Sequence, residues 1–332
     1  MKKRSRLYKP EDYPLSGKDI ENTDEFGSLL EHLTNTPVSE PLYNISLTKV
    51  GVNKQKAMIY IESLDTPDTY VPVLCEISTG VDLRQNRGIH MSRCIQSIFT
   101  LAQRKFKTLD DFALALAGAV QEQQESEMAF ADVSGTYIHK RYTKKTALES
   151  YDSIHLLSKA TISSSNSDVL IKTGVQVYNA TACPCTRTYT KYSVVPALQA
   201  MGLTIDQINQ ILDLTLSGTH IQRGVTTLLL DKKTSEITHK NIYQVLEQSV
   251  HLVYDLLKRP DEHDLVVRML QKPQFTEDVA REVAYNAYRR FKDILSEKAE
   301  IYAESILFDS IHIHDVQAII QKTLGEIKKE AE

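Results

Sequence analysis

Glycine is scarce in this sequence, 12 residues in 332, and none of the glycine spacings that cradle a phosphate occurs. G-x-G-x-x-G and G-x-x-x-x-G-K-[ST] are both missing, which excludes a dinucleotide fold and a P-loop. H-E-x-x-H and G-x-S-x-G are missing too, and with them a zincin or an α/β-hydrolase. Cysteine is nearly as sparse: Cys75, Cys94, Cys183 and Cys185 are too few and too scattered to staple a chain of this length. That points to a reducing, cytoplasmic setting. No apolar run approaches the roughly 18–20 residues that span a bilayer. The basic start Met1–Arg6 runs into the polar Leu7–Asp12, where a signal peptide needs an apolar stretch. Neither sign of charge dominates, with Lys+Arg 39 against Asp+Glu 43 and a net charge of −4. This balance favours neither a nucleic-acid coat nor a membrane-surface protein, so any bound anion must be met by a local basic pocket.

What is present is a core-forming chain, 42% hydrophobic, sufficient for one large domain or two fused modules. Residues 1–40 are polar and carry Pro10, Pro14 and Pro37, with a short helical rhythm at Phe26–Leu33. They read as an arm. Alternation with β-branched enrichment predicts strands at Tyr43–Ser63, Tyr70–Ser78, Val133–Arg141, Ser153–Ser163, Val169–Tyr178 and Val225–Leu230. Helical spacing predicts helices at Met91–Leu101, Phe112–Val120, Val194–Leu216 (capped at Thr204), Lys240–Lys258 and Glu277–Leu295. Strands are expected again at Ile301–Ile306 and Ile311–Ile319, with Ile319–Glu332 open to a charged helix. Strands and helices come in runs and not in regular βαβ alternation, which predicts an α+β fold with helices on one face of antiparallel sheet.

Several residues could carry chemistry. Cys183 and Cys185 flank Pro184 at a strand end, where they can supply a soft metal ligand and an acid, or simply be two small half-buried residues. His220 and His90 lie in mixed stretches. His312 and His314, on one face if the segment is a strand, could converge on a cavity beside Asp315. Glu247 and His251 stand at i, i+4 on a predicted helix, as a metal pair or a solvated polar pair. Lys258, Arg259, Asp261 and Glu262 form either a charged cap or a set of phosphate contacts with a carboxylate for a purine edge.

Six motifs in order, Gly88–Arg93, Cys183–Cys185, Thr219–Arg223, Leu256–Glu262, Phe275–Val279 and Ser310–Asp315, resemble the prokaryote-specific type IB GTP cyclohydrolases and their archaeal methanopterin-pathway relatives. The similarity covers about residues 70–320. It implies a tunnelling fold of two tandem modules, residues 41–165 and 166–332. Their sheets would close into a barrel through a homodimer or homotetramer with active sites at subunit interfaces. The resemblance implies a divalent ion (Fe²⁺, Mn²⁺ or Zn²⁺) at Cys183, with His220, Glu247 and His312 as the other metal or proton-transfer positions. It implies Glu262 as the guanine anchor. Hydrolysis at C8 of GTP needs a hydroxide near neutral pH, which such an ion supplies by lowering the pKa of water. Ring opening then needs proton transfers, a role for Cys185, His220 or His314. His90, Ser92, Arg93, Arg223, Lys258 and Arg259 are the triphosphate candidates.

Two departures bear on the product. Asp309 stands where the family commonly has Glu, and roughly 35 residues separate Cys185 from His220, an interval more like the methanopterin-type enzyme. The product is then a 7,8-dihydroneopterin triphosphate or its 2′,3′-cyclic phosphate. Two other readings are carried: a nitrile reductase of deazaguanine synthesis on the same fold, and a non-catalytic purine- or metal-binding scaffold.

Overall fold

The computed structural model describes residues 36–165, 168–232 and 235–332. The helical rhythm at Phe26–Leu33 lies outside the described residues. The strands are β1 (Leu47–Glu62), β2 (Tyr70–Leu83), β3 (Lys105–Phe106), β4 (Met128–Tyr142), β5 (Glu149–Ser163), β6 (Asp168–Ala182), β7 (Ile221–Lys232), β8 (His251–Leu252), β9 (Glu300–Leu307) and β10 (Val316–Thr323). They form one sheet in the order β10-β9-β7-β6-β5-β4-β2-β1-β3, with β8 pairing β6 beside that path. The pairings are antiparallel apart from the short β1–β3 contact. The helices are α1 (Met91–Ala102), α2 (Leu109–Gln124), α3 (Pro184–Ser193), α4 (Val195–Ala200), α5 (Ile205–Leu214), α6 (His239–Ser249), α7 (Arg259–Gln271), α8 (Thr276–Phe291) and α9 (Leu324–Ala331).

Register explains why the sheet has an inside and an outside. Ala57, Cys75, Gly135, Leu156, Val175, Leu228, Ala303 and Ile320 stand opposite one another, strand by strand, across eight strands. A slip of one residue anywhere would turn that row toward solvent. Helices cover this face. α2 presents Leu109, Phe112, Leu116 and Val120 at helical spacing toward β4 and β5, and α8 presents Val279, Val283, Ala287 and Phe291 toward β9 and β10. The other face is open and carries exposed Met58, Tyr60, Leu74, Ile138 and Tyr178. At Gly224 the strands approach so closely that a Cβ would stand 2.3 Å from the Ile306 carbonyl oxygen. Glycine there lets β9 lie flush against β7.

A polar knot sits inside this apolar layer. Asp110, in the first turn of α2 and 1% exposed, accepts hydrogen bonds from Ser158 Oγ at 2.6 Å, Thr173 Oγ1 at 2.8 Å and Lys232 Nζ at 2.6 Å. His239 Nε2 lies 3.1 Å from the Leu157 carbonyl, which makes it a donor there. The cluster ties α2 to β5, β6, β7 and α6. Burial holds His239, His139, His155 and His251 below the ordinary value of 6.5. Each is therefore neutral in the folded chain at a pH where the unfolded chain already binds a proton. Stability is expected to fall as pH drops through about 6.5, with a slope of up to about 1.4 kcal/mol per pH unit for each histidine. A urea midpoint lower at pH 5.5 than at pH 7.5 checks this.

The α+β expectation with a large antiparallel sheet and helices holds, and so does the Thr204 cap, which forms a capping box with Gln207. Four segments differ. The single helix expected over Val194–Leu216 is two, α4 and α5, broken at Gly202, whose φ of 81° a right-handed helix does not hold, and restarted at extended Thr204. The helix expected over Lys240–Lys258 ends at Ser249, because Val250 is extended and His251 and Leu252 pair with Ala180 and Asn179 of β6. Those apolar residues are buried by joining the sheet. Pro260 consequently opens α7, within its first turn, and does not stop α6. The strand expected from Ile311 begins only at Val316, and the chain ends as helix α9.

Candidate active site

Cys183 stands where β6 ends and α3 begins, in extended conformation at the helix N-cap with Pro184 next to it. Its N–H donates to the His220 carbonyl at 3.1 Å, and its carbonyl accepts from the Thr219 hydroxyl at 3.0 Å. The ends of β6 and β7 are thus laced together, with a thiol on one and an imidazole on the other. Both residues are half-buried, while Cys185 is exposed on the first turn of α3. His220 Nδ1 lies 3.3 Å from Ser310 Oγ in the loop joining β9 to β10. That loop is fixed to β7 by the Phe308 N–H, which donates to the Arg223 carbonyl at 2.8 Å. Asp309 folds it, accepting the N–H groups of Ile311 and His312 at 2.8 Å each and facing His312 Nδ1 at 3.1 Å. These backbone donors hold the Asp309 carboxyl down at about 2. His312 and His314 are therefore loop residues. The expectation that they share a strand face is corrected: their rings stack, centroids 5.2 Å apart at 30°.

The remaining expected residues fall elsewhere in the chain. Glu247 is exposed in the last turn of α6, beside Lys144, Tyr254 and Arg268. The i, i+4 pairing with His251 is also corrected, since His251 is a buried β8 residue whose Nε2 donates to the Lys272 carbonyl at 3.0 Å. His90 stands at the N-cap position of α1 without a side-chain capping bond, Ser92 is exposed on its first turn, and Arg93 donates to the Gln123 carbonyl at 2.8 Å. His90 and Arg93 line a cleft of about 530 Å³ together with Pro37, Asp82 and Glu127. Arg223 lines a different cavity, about 350 Å³, with Arg141, Tyr178, Tyr243, Tyr254 and Asp255. Lys258, Arg259 and Glu262 are exposed at the start of α7, where the N-terminal end of the helix favours anions.

Residues 33–318 match the family model described as type I GTP cyclohydrolase folE2. This chain belongs to that family. GTP cyclohydrolase MptA of Methanococcus aeolicus is 29% identical over 305 residues, spanning 88% of this chain and 97% of that protein. GTP cyclohydrolase MptA 1 of Methanocella arvoryzae is 30% identical over 308 residues, 90% and 96% of the two chains. The chain is accordingly an enzyme. Among solved structures, a urate oxidase from Bacillus sp. TB-90 aligns with 83% of this chain and 100% of its own, at 9% identity and a TM-score of 0.45. A uricase from Bacillus fastidious aligns with 86% and 96%, at 8% identity and a TM-score of 0.44. A likeness at that level carries no argument.

In this cyclohydrolase the donor types at Cys183 and His220 suit a divalent ion, a soft thiolate beside an imidazole whose Nε2 is not engaged by Ser310. Among the described residues, no three His, Cys, Asp or Glu groups gather closely enough to form a complete shell within one chain. The pair fits as part of a site. Among the described residues no helix is long and apolar enough to cross a membrane.

Sequence reasoning missed a second polar assembly in the cyclohydrolase. Arg141 is buried on β4, with Nε 2.6 Å from Asp152 Oδ2 and its guanidinium carbon 3.9 Å from the centre of the Tyr254 ring. Asp261, inside the singled-out Lys258–Glu262 stretch, is 4% exposed and points into the turn between β4 and β5. Against the upward push of burial, the Thr146 hydroxyl and the N–H groups of Lys145, Thr146 and Lys258 hold its carboxyl down at about 2. A carboxylate beside a proline in a helix's first turn was the available signal for Asp261. Arg141 offered none, because its partners come from remote parts of the chain.

Proposed function

We propose that this cyclohydrolase hydrolyses the guanine imidazole ring of GTP at C8, releasing that carbon as formate, and rearranges the remainder to a 7,8-dihydroneopterin phosphate. One water is consumed overall, and the cyclic-phosphate product also releases diphosphate. The observation that carries the reading is the lacing of Cys183 to His220 and of His220 to the His312–His314 loop, in a chain matched to the family over residues 33–318. Cys183 and His220 would hold a divalent ion (Fe²⁺, Mn²⁺ or Zn²⁺), with His312 and Glu247 as further donors. When bound, the ion supplies the acidity that yields hydroxide from water near neutral pH.

The chain's own residues bind, orient and move protons. Glu262 accepts hydrogen bonds from the guanine N1–H and 2-amino groups, which adenine cannot offer. Arg223, Lys258 and Arg259, with His90, Ser92 and Arg93, meet the triphosphate. Cys185 and His314 exchange protons with the opening ring. The identity of the MptA relatives and the long helical interval α3–α5 between Cys185 and His220 favour the methanopterin branch and the 2′,3′-cyclic phosphate. Operation in the cytoplasm fits free thiols at all four cysteines.

Because these groups occupy separate cavities in one chain, we place the complete site between subunits. What supports this is the outer edge of β10, which no strand among the described residues pairs, the two-residue cover on β1 and the apolar residues on the open sheet face. Residues 41–165 and 166–332 would be tandem modules whose sheets continue into those of a second copy in a homodimer or homotetramer. Subunit mixing tests it. His90→Ala and Cys183→Ala proteins, each strongly impaired alone, are expected to recover up to about a quarter of wild-type turnover when dissociated and reassembled together, since half the dimers then hold one intact site. No recovery in verified hetero-oligomers contradicts a site shared across the interface.

A further inference from the structure

We propose that the β4–β5 hairpin is a positioning clamp for the carboxylate that reads guanine, with Arg141 and Asp261 as its two fastenings. The inference rests on the reading of Glu262 as the guanine anchor. Between β8 and α7 the chain runs through Val253–Lys258 without helix or strand, and it delivers Lys258, Arg259 and Glu262 to the site. A segment of that kind holds a carboxylate to useful precision only if something rigid fixes it. Here the hairpin fixes it at both ends.

At the first end, Arg141 donates to the Val253 carbonyl at 2.6 Å and to Tyr243 Oη at 3.3 Å. Its partner Asp152, held by Ser150 Oγ at 2.6 Å, accepts the Asp255 N–H at 2.8 Å. The ion pair therefore grips the segment from both sides, one member taking a carbonyl and the other an N–H. The guanidinium is also covered by the Tyr254 ring. A cation with its donors spent this way does not serve as a phosphate ligand, although it lines the same cavity as Arg223. Its part is to hold.

At the second end, Asp261 accepts the N–H groups of Lys145 and Thr146 at 3.0 and 3.1 Å and the Thr146 hydroxyl at 2.5 Å. Lys145 Nζ adds an ion pair to Asp264, one turn further along α7, at 3.2 Å. Consecutive helical residues point about 100° apart. With Asp261 turned into the hairpin, Glu262 is turned outward, and it is exposed. The direction of the reading carboxylate follows from the burial of its neighbour.

Kinetics with GTP and with ITP, which lacks the 2-amino group, test the clamp. Arg141→Lys keeps the charge and loses the fork; Asp261→Asn keeps the shape and loses acceptor strength. Each is expected to raise KM for GTP about tenfold, to change kcat less than about threefold, and to bring the GTP-to-ITP ratio of kcat/KM toward one. Combined with Glu262→Gln, each should add little further loss, since both changes remove the same interaction. Folded variants with an unchanged ratio, or fully additive losses, would overturn the clamp. So would loss of cooperative unfolding in both variants, which would make the two residues fasteners of the fold alone. Wild-type protein that releases no formate from GTP would instead overturn the guanine reading itself.

Discussion

Replacing Cys183 by alanine is expected to lower formate release from GTP by more than a hundredfold, beyond the roughly ten- to hundredfold that follows loss of an outer hydrogen-bond partner of a metal ligand. The sulfur is removed while the local backbone stays in place. Cys183 contributes to its surroundings through its N–H to His220 and its carbonyl from Thr219, and alanine retains both groups. The thiol makes only a 3.7 Å contact to the Thr186 hydroxyl. Melting temperature should therefore be nearly unchanged. Divalent metal retained per subunit after desalting should fall together with turnover. Cys185→Ala, on the exposed side of the same turn, should retain the metal and lose rate. Equal metal retention and unchanged turnover in Cys183→Ala would remove this thiol from the site.

The second large effect is on folding. Asp110→Ala is expected to destabilise the protein by about 3–5 kcal/mol, because it leaves the Lys232 ammonium and two hydroxyls without their shared acceptor in a nearly closed environment. Lys232 Nζ has Asp110 at 2.6 Å, with side-chain exposures of 12% and 2%. Denaturant unfolding measures the loss. A double replacement that also makes Lys232 methionine should regain a substantial part of it, since the stranded charge then disappears. An exposed ion pair would give less than about 1 kcal/mol, and a loss of that size would show that water reaches the knot.

Much of the architecture was legible in the sequence because long strands with one buried face announce themselves by alternation. β4, β5, β6 and β9 were expected close to where they lie, and so were α1, α2 and α8, whose apolar residues recur at helical spacing. Failures cluster where pairing overrode local pattern. Val245, Leu246, Leu252 and Val253 keep a helical rhythm past Ser249, yet the β5–β6 ladder stops at the His155–Gln176 pair and the last part of β6 offers hydrogen bonds to His251 and Leu252. No local signal reports that vacancy. His312 and His314 alternate as a strand would, but the Asp309 carboxylate takes the backbone donors that a strand would spend on its neighbour.

The candidate site was legible by residue type and not by arrangement. Cys183 and His220 are far apart in sequence, and only the β6–β7 register, which sets Ala182 opposite Ile221, makes them neighbours. The clamp at Arg141 and Asp261 was invisible for the same reason, since its members come from a hairpin and a helix more than a hundred residues apart. Glu262 was noticed because it is charged and falls where the resembling family carries its guanine anchor. The neighbouring Asp261, equally charged, is the one the fold buries.

The most direct measurement is incubation of metal-stripped protein with GTP and each of Fe²⁺, Mn²⁺ and Zn²⁺ under anaerobic, reducing conditions. Formate is counted and the pterin identified by mass. The expected result is one formate for each GTP consumed with at least one of the ions, none without metal, and a pterin of the mass of 7,8-dihydroneopterin 2′,3′-cyclic phosphate. The triphosphate mass would keep the ring-opening chemistry and move the enzyme to the folate branch. Folded protein that binds metal and leaves GTP intact with every ion would contradict the cyclohydrolase reading.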